Sequence, residues 1–482
     1  MGVFGDIMHN LPALPKRSET QSTNPITLMR SLSLVQWLLF LSGWLAWTCD
    51  AIDFFAVSLS VVRLEEAFKQ SAHAVTTSIT LTLLFRPLGA VIFGLVSDRY
   101  GRKWPLVANL VIVAVLSLAT GFVKDFSAFL AVRSLFGIAM GGIWGQAAGT
   151  ALENMPVEAR GLFSGILQQG YAVGYLIAAV INLYVVPRYK TWRVLFYVAA
   201  GISLGAAFIR AALPESQFFI DRREAAARNG EGTSSGEKSK QFVREMGKAL
   251  KTHWVRCIFA IFLMSGFNFY SHGSQDLFPT YLQKGKGLTA HNATVGTIIG
   301  NCGAIVGGTI SGYASQYLGR RLTIILCCIW TCIWLPLWYL PTKFGPLAAG
   351  AFFVQSGVQG AWGVIPIYLT EISPVAFRAV WPGVAYQLGN MVSSASAQIE
   401  ATAGAKILTK KGLPNYGKVS VILIGVVSGF IIIMTILGRE AHSAHFENGK
   451  AAFEKDAGLD EHGVMSSPES DFDEEKRQES HH

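Results

Sequence analysis

Polar side chains interrupt an otherwise apolar stretch of the chain, NFYSHGSQDLFPT, which runs from Asn268 to Thr280. Asn268, His272 and Asp276 follow one another four residues apart, so on a helix they lie near one face. An imidazole titrates near neutrality, and a carboxylate one turn away makes with it a pair that can take up and release a proton. A structural hydrogen-bond network is the alternative interpretation. The pattern predicts a proton-coupling site, and either residue could hold the proton.

An arginine lies in a second apolar stretch, within LLFRPLGA. The planar guanidinium group of Arg86 suits bidentate binding of a carboxylate. A structural ion pair with Asp50 or Asp53 is the alternative, and these two aspartates are also candidate proton carriers. For Arg133, two interpretations stay open: an ion pair, or a role in guiding anions inward.

The composition indicates that these residues are held by membrane helices. Of 482 residues, 51% are hydrophobic and 15% are charged, whereas soluble chains average about 25% charged. Apolar runs of roughly 20 residues recur, which is the length that crosses a bilayer. We therefore expect an all-α polytopic membrane protein. The six cysteines have no metal-ligand partners at suitable spacing, so we expect no metal site.

Twelve transmembrane helices are predicted, in two six-helix halves. We expect a cytoplasmic tail (1–33), a first half (34–213), a cytoplasmic linker (214–254), a second half (255–438) and an acidic, disordered cytoplasmic tail (439–482). The linker should contain a short amphipathic helix near Lys238–Leu250. The predicted spans are 34–62, 75–97, 104–122, 126–151, 161–186, 193–213, 255–282, 293–316, 322–341, 346–370, 378–401 and 419–438. Lysine and arginine residues are moderately enriched in one set of loops, which indicates that these loops are cytoplasmic. Both termini then lie in the cytoplasm.

The two halves repeat each other at a constant shift of 218 residues. The shift relates Gly101 to Gly319 and Trp144 to Trp362, among other pairs. It also places Asp50 opposite Asn268. Because each half has an even number of helices, both halves have the same orientation, and a site between them near the bilayer midplane is expected.

Charged residues at the inner helix ends are candidate gates, which form contacts in one state and break them in the other. Loop charges that only fix the topology are the alternative. Gln316 replaces the expected acid in the second half, so that latch should be weaker. The gating candidates are Asp98, Arg102, Glu153, Arg160, Glu371 and Arg378.

Two loop motifs resemble those of the major facilitator superfamily. GLVSDRYGRK, from Gly94 to Lys103, is similar to the motif between helices two and three, and GYASQYLGRR is similar to its counterpart in the second half. Arg133, Gly137 and Gly141 resemble the basic, glycine-rich pattern of helix four. These motifs are specific for the fold and nearly silent on the substrate.

The stretch from Asn268 to Thr280 resembles the seventh-helix signature of the fungal lactate/pyruvate:proton symporters, in the sialate:proton symporter branch of that superfamily. The resemblance implies that Asn268, His272 and Asp276 are required for transport and that Arg86 binds the carboxylate. The further residues that it implies for substrate binding or specificity are Ser271, Gln387, Asn390, Phe163 and Ser164.

These observations predict a monocarboxylate:proton symporter of the plasma membrane, monomeric, with the proton as coupling ion, no cofactor and no nucleic-acid partner. A dicarboxylate carrier on the same scaffold is the alternative, and it would need a second cation near Arg86, such as Arg133. A non-transporting carboxylate sensor is the third hypothesis. An enzyme is not expected, because no nucleotide loop, metal cluster or nucleophile triad is visible.

Overall fold

A computed structural model describes residues 24–152, 155–156, 159–215, 220, 235–373, 380–409 and 412–439, and only the backbone of residues 98 and 235–243. Within these residues the chain is almost entirely helical. We number its helical segments as spans. The first half contains span 1 (Leu34–Phe68), span 2 (Ala72–Tyr100), span 3 (Lys103–Phe122), span 4 (Phe126–Gly141 and Ile143–Leu152), span 5 (Arg160–Gln168 and Gly170–Tyr189) and span 6 (Arg193–Ala212).

The second half has the same number of spans. They are span 7 (Trp254–Gln275, Phe278–Thr280 and a π-helical turn at Tyr281–Gly285), span 8 (Ala290–Leu318), span 9 (Arg320–Tyr339), span 10 (Phe344–Ile372), span 11 (Val380–Ser393 and Ser396–Lys406) and span 12 (Tyr416–Leu437). Two further helices, Pro25–Ser31 and Ser235–Thr252, precede the halves, and the second includes the stretch predicted to be an amphipathic helix.

Ten of the twelve spans are long and apolar enough to cross a membrane, by the length and composition of the described residues. Spans 10 and 11 are the two that do not qualify. Both contain buried polar side chains, among them Gln355 and Gln359 in span 10 and Asn390 and Glu400 in span 11. Polar residues at this depth lower the hydropathy of a helix and usually face the interior of a bundle.

Helix packing follows the repeat that the sequence shows. Span 2 packs on span 4 as span 8 packs on span 10, span 3 on span 6 as span 9 on span 12, and span 1 on span 5 as span 7 on span 11. Across the halves, span 2 meets span 11 and span 5 meets span 8. The same shift relates two helix ends: Gly101 and Gly319 follow spans 2 and 8 with φ of 104° and 83°. Residues with a side chain rarely adopt this backbone conformation, whereas glycine adopts it at no steric cost.

Four spans are broken near their middle or end, namely spans 4, 5, 7 and 11. A break leaves backbone carbonyls without helical partners, and at membrane depth such backbone is tolerated only where it lines a cavity or is buried in protein. At the break in span 11, the Ser394 carbonyl accepts a hydrogen bond from Thr80 Oγ1 of span 2, at 2.9 Å. We name the two ends of the bundle after its first two loops. The loop between spans 1 and 2 lies at the first-loop end, and the loop between spans 2 and 3 lies at the second-loop end.

Candidate functional site

Arg86 is fixed in the interior by close contact between spans 2 and 4. Gly137 lies against the carbonyl of Thr82, and Gly141 lies against the carbonyl of Arg86 itself, so a side chain at either glycine would collide with backbone. The Arg86 side chain is fully buried. Its Nη2 lies 2.6 Å from Met140 Sδ, a weak acceptor. Its Nε and Nη1 have no hydrogen-bond partner among the described residues. The guanidinium group therefore keeps most of its donors for another acceptor.

Asp50 is a second fully buried charge without hydrogen bonds. Both of its carboxylate oxygens lack a partner within the described part of the chain. It interacts electrostatically with Arg86, Asp53 and Arg133. Asp53 accepts a hydrogen bond of 2.5 Å from Arg133 Nη1, and both of these side chains are buried. The sequence left open which aspartate pairs with which arginine, and the structure places Arg133 on Asp53.

His272 lies at the centre of a hydrogen-bonded chain between spans 7 and 11. Its Nδ1 is 3.0 Å from Asp276 Oδ2, and its Nε2 is 3.0 Å from Asn390 Oδ1. Asn390 Nδ2 donates to Gln387 Oε1 at 2.7 Å, which orients the Asn390 amide with its oxygen toward His272. Nε2 therefore faces an amide oxygen, and Nδ1 faces a carboxylate.

One aromatic ring lies between the side chains of Arg86 and His272. The ring of Phe54, in span 1, lies 5.1 Å from Arg86 Cζ and 5.6 Å from the ring of His272. A group bound at Arg86 would therefore lie next to the His272–Asp276 pair. The phenyl ring between them is too apolar to hydrogen-bond either group, so it separates them without neutralising them.

Two other residues of the predicted signature form contacts of their own. Asn268 Nδ2 donates to the carbonyl of Met264 at 2.8 Å and to that of Tyr386, in span 11, at 3.2 Å. Ser271 Oγ donates to Gln275 Oε1 at 3.0 Å. Asn268 therefore joins spans 7 and 11, whereas Ser271 belongs to a separate polar group.

That second polar group surrounds the break in span 7. Gln275 Nε2 donates to Gln355 Oε1 of span 10 at 2.9 Å, and Gln355 Nε2 donates to the carbonyl of Ser274 at 3.2 Å. Tyr175, in span 5, donates to the carbonyl of Gln275 at 3.2 Å. The break is thus held from both halves of the molecule.

Rings enclose the site on the side of the second-loop end. Tyr386 stacks on Trp144 with ring centroids 4.7 Å apart, and it meets Trp362 and Trp47 edge-on at 5.5 and 6.2 Å. Trp144 and Trp362 are related by the repeat shift, so the two halves supply equivalent rings. The sequence did not identify the cluster, although the symmetric tryptophans were visible in the repeat.

Phe163 and Ser164 lie apart from Arg86 and His272. Phe163 packs against Phe40 with ring centroids 4.8 Å apart, in a cluster near the start of span 1. Ser164 Oγ donates to the carbonyl of Gly363, in span 10, at 3.0 Å. Ser164 therefore lies at the interface between the halves, whereas the ring contacts of Phe163 are within the first half.

The described gating candidates make contacts within their own halves. Glu371 accepts two hydrogen bonds from Arg320, of 3.1 Å at Nε and 3.0 Å at Nη2. Arg160 Nε donates to the carbonyl of Met155 at 3.1 Å. Glu153 and Arg378, and the side chain of Asp98, lie outside the described residues.

Arg102 is the remaining gating candidate, at the start of span 3. Its side chain donates to Ser97 Oγ at 3.3 Å. Glu215, after span 6, accepts hydrogen bonds from the backbone N–H groups of Arg102 and Lys103 at 3.1 and 3.0 Å. A carboxylate at a helix N-terminus is favourable, because the first N–H groups of the helix have no helical partner. The sequence did not single out Glu215.

Contacts between the halves close both ends of the bundle. At the first-loop end, Lys284 Nζ lies 2.6 Å from Glu65 Oε2, and Gln398 Nε2 donates to Thr77 Oγ1 at 2.9 Å. At the second-loop end, a Cβ on Gly312 would lie only 2.6 Å from Gly165 Cα, so spans 5 and 8 touch through their backbones. The halves therefore touch at both ends of the bundle, and the side chains of Arg86 and His272 are buried between these contacts.

Comparison with known proteins identifies relatives of the whole chain. The family model described as the Major Facilitator Superfamily matches residues 37–399. A carboxylic acid transporter protein homolog of Saccharomyces cerevisiae is 33% identical over 435 residues, which cover 87% of this chain and 71% of the relative. The solved proton:xylose symporter XylE has a TM-score of 0.65 and 17% identity, covering 83% of this chain and 94% of that one. At this identity the likeness is one of fold alone.

Bacterial relatives match shorter stretches. The shikimate transporter of Escherichia coli is 30% identical over 203 residues, which cover 37% of this chain and 46% of the relative. The putative niacin/nicotinamide transporter NiaP of Bacillus subtilis is 30% identical over 172 residues, which cover 36% of this chain and 43% of the relative. The chain therefore spans less than half the length of these two proteins.

Proposed function

The chain belongs to the major facilitator superfamily and is a transporter rather than an enzyme, and from this premise we propose that it carries short-chain monocarboxylates such as lactate and pyruvate together with a proton. The observation that carries the proposal is the unpartnered guanidinium group of Arg86 beside the His272–Asp276 pair. Relatives named as carriers of carboxylic acid and of shikimate support an acidic substrate.

Arg86 binds the carboxylate of the substrate. Two of its three nitrogens are free within the described structure, and a thioether occupies the third. A carboxylate accepts two parallel hydrogen bonds from a guanidinium group, which are roughly twice as strong as neutral ones. The substrate also compensates a buried positive charge, whose acidic neighbour Asp50 makes no hydrogen bond to it within the described residues. Gln387 and Asn390, at the end of the His272 chain, supply amide groups that can hydrogen-bond the oxygen substituents of the substrate.

The proton travels on the His272–Asp276 pair. A monocarboxylate and one proton make a neutral unit, which avoids moving net charge through a medium where each charge is costly. Storage of the proton next to the anion site links the two, because each stabilises the other across the ring of Phe54.

Transport proceeds by alternating opening of the two ends around this site. The halves rock against each other, and the ion pair Glu65–Lys284 breaks when the first-loop end opens. The glycine contact between spans 5 and 8 separates when the second-loop end opens. We place the first-loop end outside the plasma membrane, with both termini in the cytoplasm and the protein acting as a monomer.

A monocarboxylate fits better than a dicarboxylate. A second carboxylate group would need a second cation, and Arg133 already donates to Asp53 at 2.5 Å. Freeing Arg133 would leave Asp53 buried and unpaired, which costs several kcal/mol in typical buried pairs (roughly 3–5 kcal/mol).

Uptake of labelled lactate into proteoliposomes, with an inward proton gradient and with the gradient collapsed, tests the proposal. We expect accumulation only with the gradient, and we expect excess pyruvate to block it and succinate to leave it unchanged. Block by succinate would establish a dicarboxylate carrier. Binding of acid without flux under either condition would establish a sensor.

A further inference from the structure

Glu400 is a buried carboxyl group that the mechanism above does not use. It lies in the second segment of span 11 and is 1% exposed. Its Oε2 accepts a hydrogen bond from Ser420 Oγ, in span 12, at 3.2 Å. Its Oε1 has no partner among the described residues. An unpartnered acid at this depth is costly to bury, and such residues are typical of proton pathways.

The free oxygen of Glu400 points to the helix that holds the histidine pair. A Cβ placed on Gly273 would lie 3.3 Å from Glu400 Oε1, so the carboxyl group rests against the bare backbone beside His272. Glu400 also interacts electrostatically with Asp276. The hydrogen-bonded chain through Gln387, Asn390 and His272 therefore has a second acid, after Asp276, at its far side.

The charges around Glu400 favour its protonated form. His272 and Asp276 with one shared proton are neutral together, so an ionised Glu400 would leave one buried negative charge uncompensated. No cation among the described residues interacts electrostatically with Glu400. On span 2, His73 is exposed and is bonded to Thr402. Span 12 presents the phenol of Tyr416 and the exposed Lys418.

Glu400 also lies close to the surface of the first-loop end. Thr402, two residues further along the helix, is exposed, and two residues rise only about 3 Å. The contacts that cover this region are Gln398 on Thr77 and Thr402 on His73. They are side-chain hydrogen bonds between the halves, so opening of this end removes them and admits water to the carboxyl group.

We propose that Glu400 is the entry residue for the proton, which it receives from water at the first-loop end and passes to Asp276. The inference rests on the proton-coupled function proposed above. In each cycle the His272–Asp276 pair releases its shared proton toward the second-loop end, and Glu400 replaces it by giving the proton on its Oε1 to Asp276. Glu400 then takes up one proton from water when the first-loop end next opens. The conformation with both ends closed holds Glu400 protonated.

The variant Glu400→Gln tests the proposal, because the amide keeps the size of the side chain and an acceptor for Ser420 and cannot carry a proton. The matched control is Glu66→Gln, at an exposed glutamate of span 1. Both full-length variants are reconstituted, and two rates are measured: accumulation of labelled lactate driven by a proton gradient, and exchange of labelled for unlabelled lactate at equal pH across a range of pH values.

We expect accumulation by Glu400→Gln to fall on the order of 100-fold, the scale of one lost proton transfer, while exchange persists and loses its dependence on pH. Exchange needs no net proton release, so it also shows that the variant is folded. The control should match the wild type in both rates. Equal accumulation in Glu400→Gln and wild type would overturn the proposal, and so would equal loss of accumulation and exchange, which marks a structural role.

A second measurement keeps this inference separate from the proposed substrate. Infrared difference spectra between high and low pH report the carbonyl stretch of protonated carboxylic acids in the purified protein. We expect a band of a buried acid in the wild type that is missing in Glu400→Gln and present in Glu66→Gln. If lactate is not transported but the band behaves in this way, the function above fails and the proton site stands. A band unchanged by Glu400→Gln overturns the site.

Discussion

The two halves contribute unlike chemistry to one site. The first half supplies Arg86 and Asp50, which are fully buried and lack hydrogen-bond partners at most of their polar atoms. The second half supplies His272, whose two nitrogens both have partners. Leaving a buried polar group unpaired costs about 1–3 kcal/mol. The difference teaches that the first half has unused hydrogen-bonding groups at the site, which under the proposed function receive the substrate, whereas the polar groups of the second half already bond to one another.

Removal of the guanidinium fork should have the largest effect. Arg86→Lys keeps the charge and loses bidentate geometry, so we expect lactate exchange to fall on the order of 100-fold, as when about 2–5 kcal/mol is lost from a buried charged contact. The measurement is the initial rate of exchange at equal pH. Arg188→Lys, at an exposed arginine of span 5, should leave the rate unchanged. A rate near that of the wild type in Arg86→Lys would place the anion elsewhere.

Replacement of the histidine should separate coupling from binding. His272→Gln keeps a donor toward Asn390 and removes the titrating ring, so we expect gradient-driven accumulation to fall by about 10–100-fold. Exchange should stay within severalfold of the wild type, because Arg86 is untouched. The dependence of uptake on external pH is the second readout. Accumulation with unchanged pH dependence in this variant would show that the second half does not store the proton.

The backbone contact between the halves offers a smaller test. Gly312→Ala forces a methyl group against Gly165, and overpacking of this kind costs roughly 1–3 kcal/mol. The closed second-loop end is then disfavoured, and we expect the KM for external lactate to rise about tenfold as the population shifts. Gly201→Ala, at a glycine whose added Cβ would meet nothing within 4 Å, is the control. A KM that is equal in the two variants would mean that this contact does not limit closure.

The ion pair at the first-loop end should matter least. Lys284→Gln removes the contact with Glu65, in which the two side chains are 31% and 16% exposed, and such pairs contribute about 0.2–1 kcal/mol. We expect less than about a fivefold change in uptake rate. Lys286→Gln makes the same charge change at a lysine that donates to carbonyls of its own half. An effect of Lys284→Gln larger than that of Arg86→Lys would make closure of this end, and not binding, the decisive step.

Most of the site residues were visible in the sequence because membrane depth makes polar residues conspicuous. Arg86, His272, Asp276, Gln387 and Asn390 each interrupt an apolar run. The structure shows that all five are buried and that the last four form a hydrogen-bonded chain. Their roles in transport stay predictions. Glu400 also interrupts a run of uncharged residues, but it lies near the end of its predicted span, where a charged residue is equally compatible with a loop.

The pairing of charges was not predictable. Asp50 and Asp53 lie three residues apart on one helix, and either could have reached Arg86 or Arg133. The choice depends on how far spans 2 and 4 approach each other, and that distance is set by Gly137 and Gly141 against the backbone of span 2. Helical periodicity predicts the face of the helix on which a residue lies, but it does not predict which residue of a neighbouring helix it contacts.

The sequence by itself determined the helical membrane architecture and its division into two like halves, since both follow from local composition and from repeated residues along the chain. It also determined which side chains are too polar for their surroundings. Only the tertiary structure decided which of these are satisfied: Arg133 by Asp53, and His272 by Asp276 and Asn390, whereas Arg86 keeps two nitrogens without hydrogen bonds among the described residues. Hydrogen bonding acts over about 3 Å between helices far apart in the chain, so no local pattern contains it.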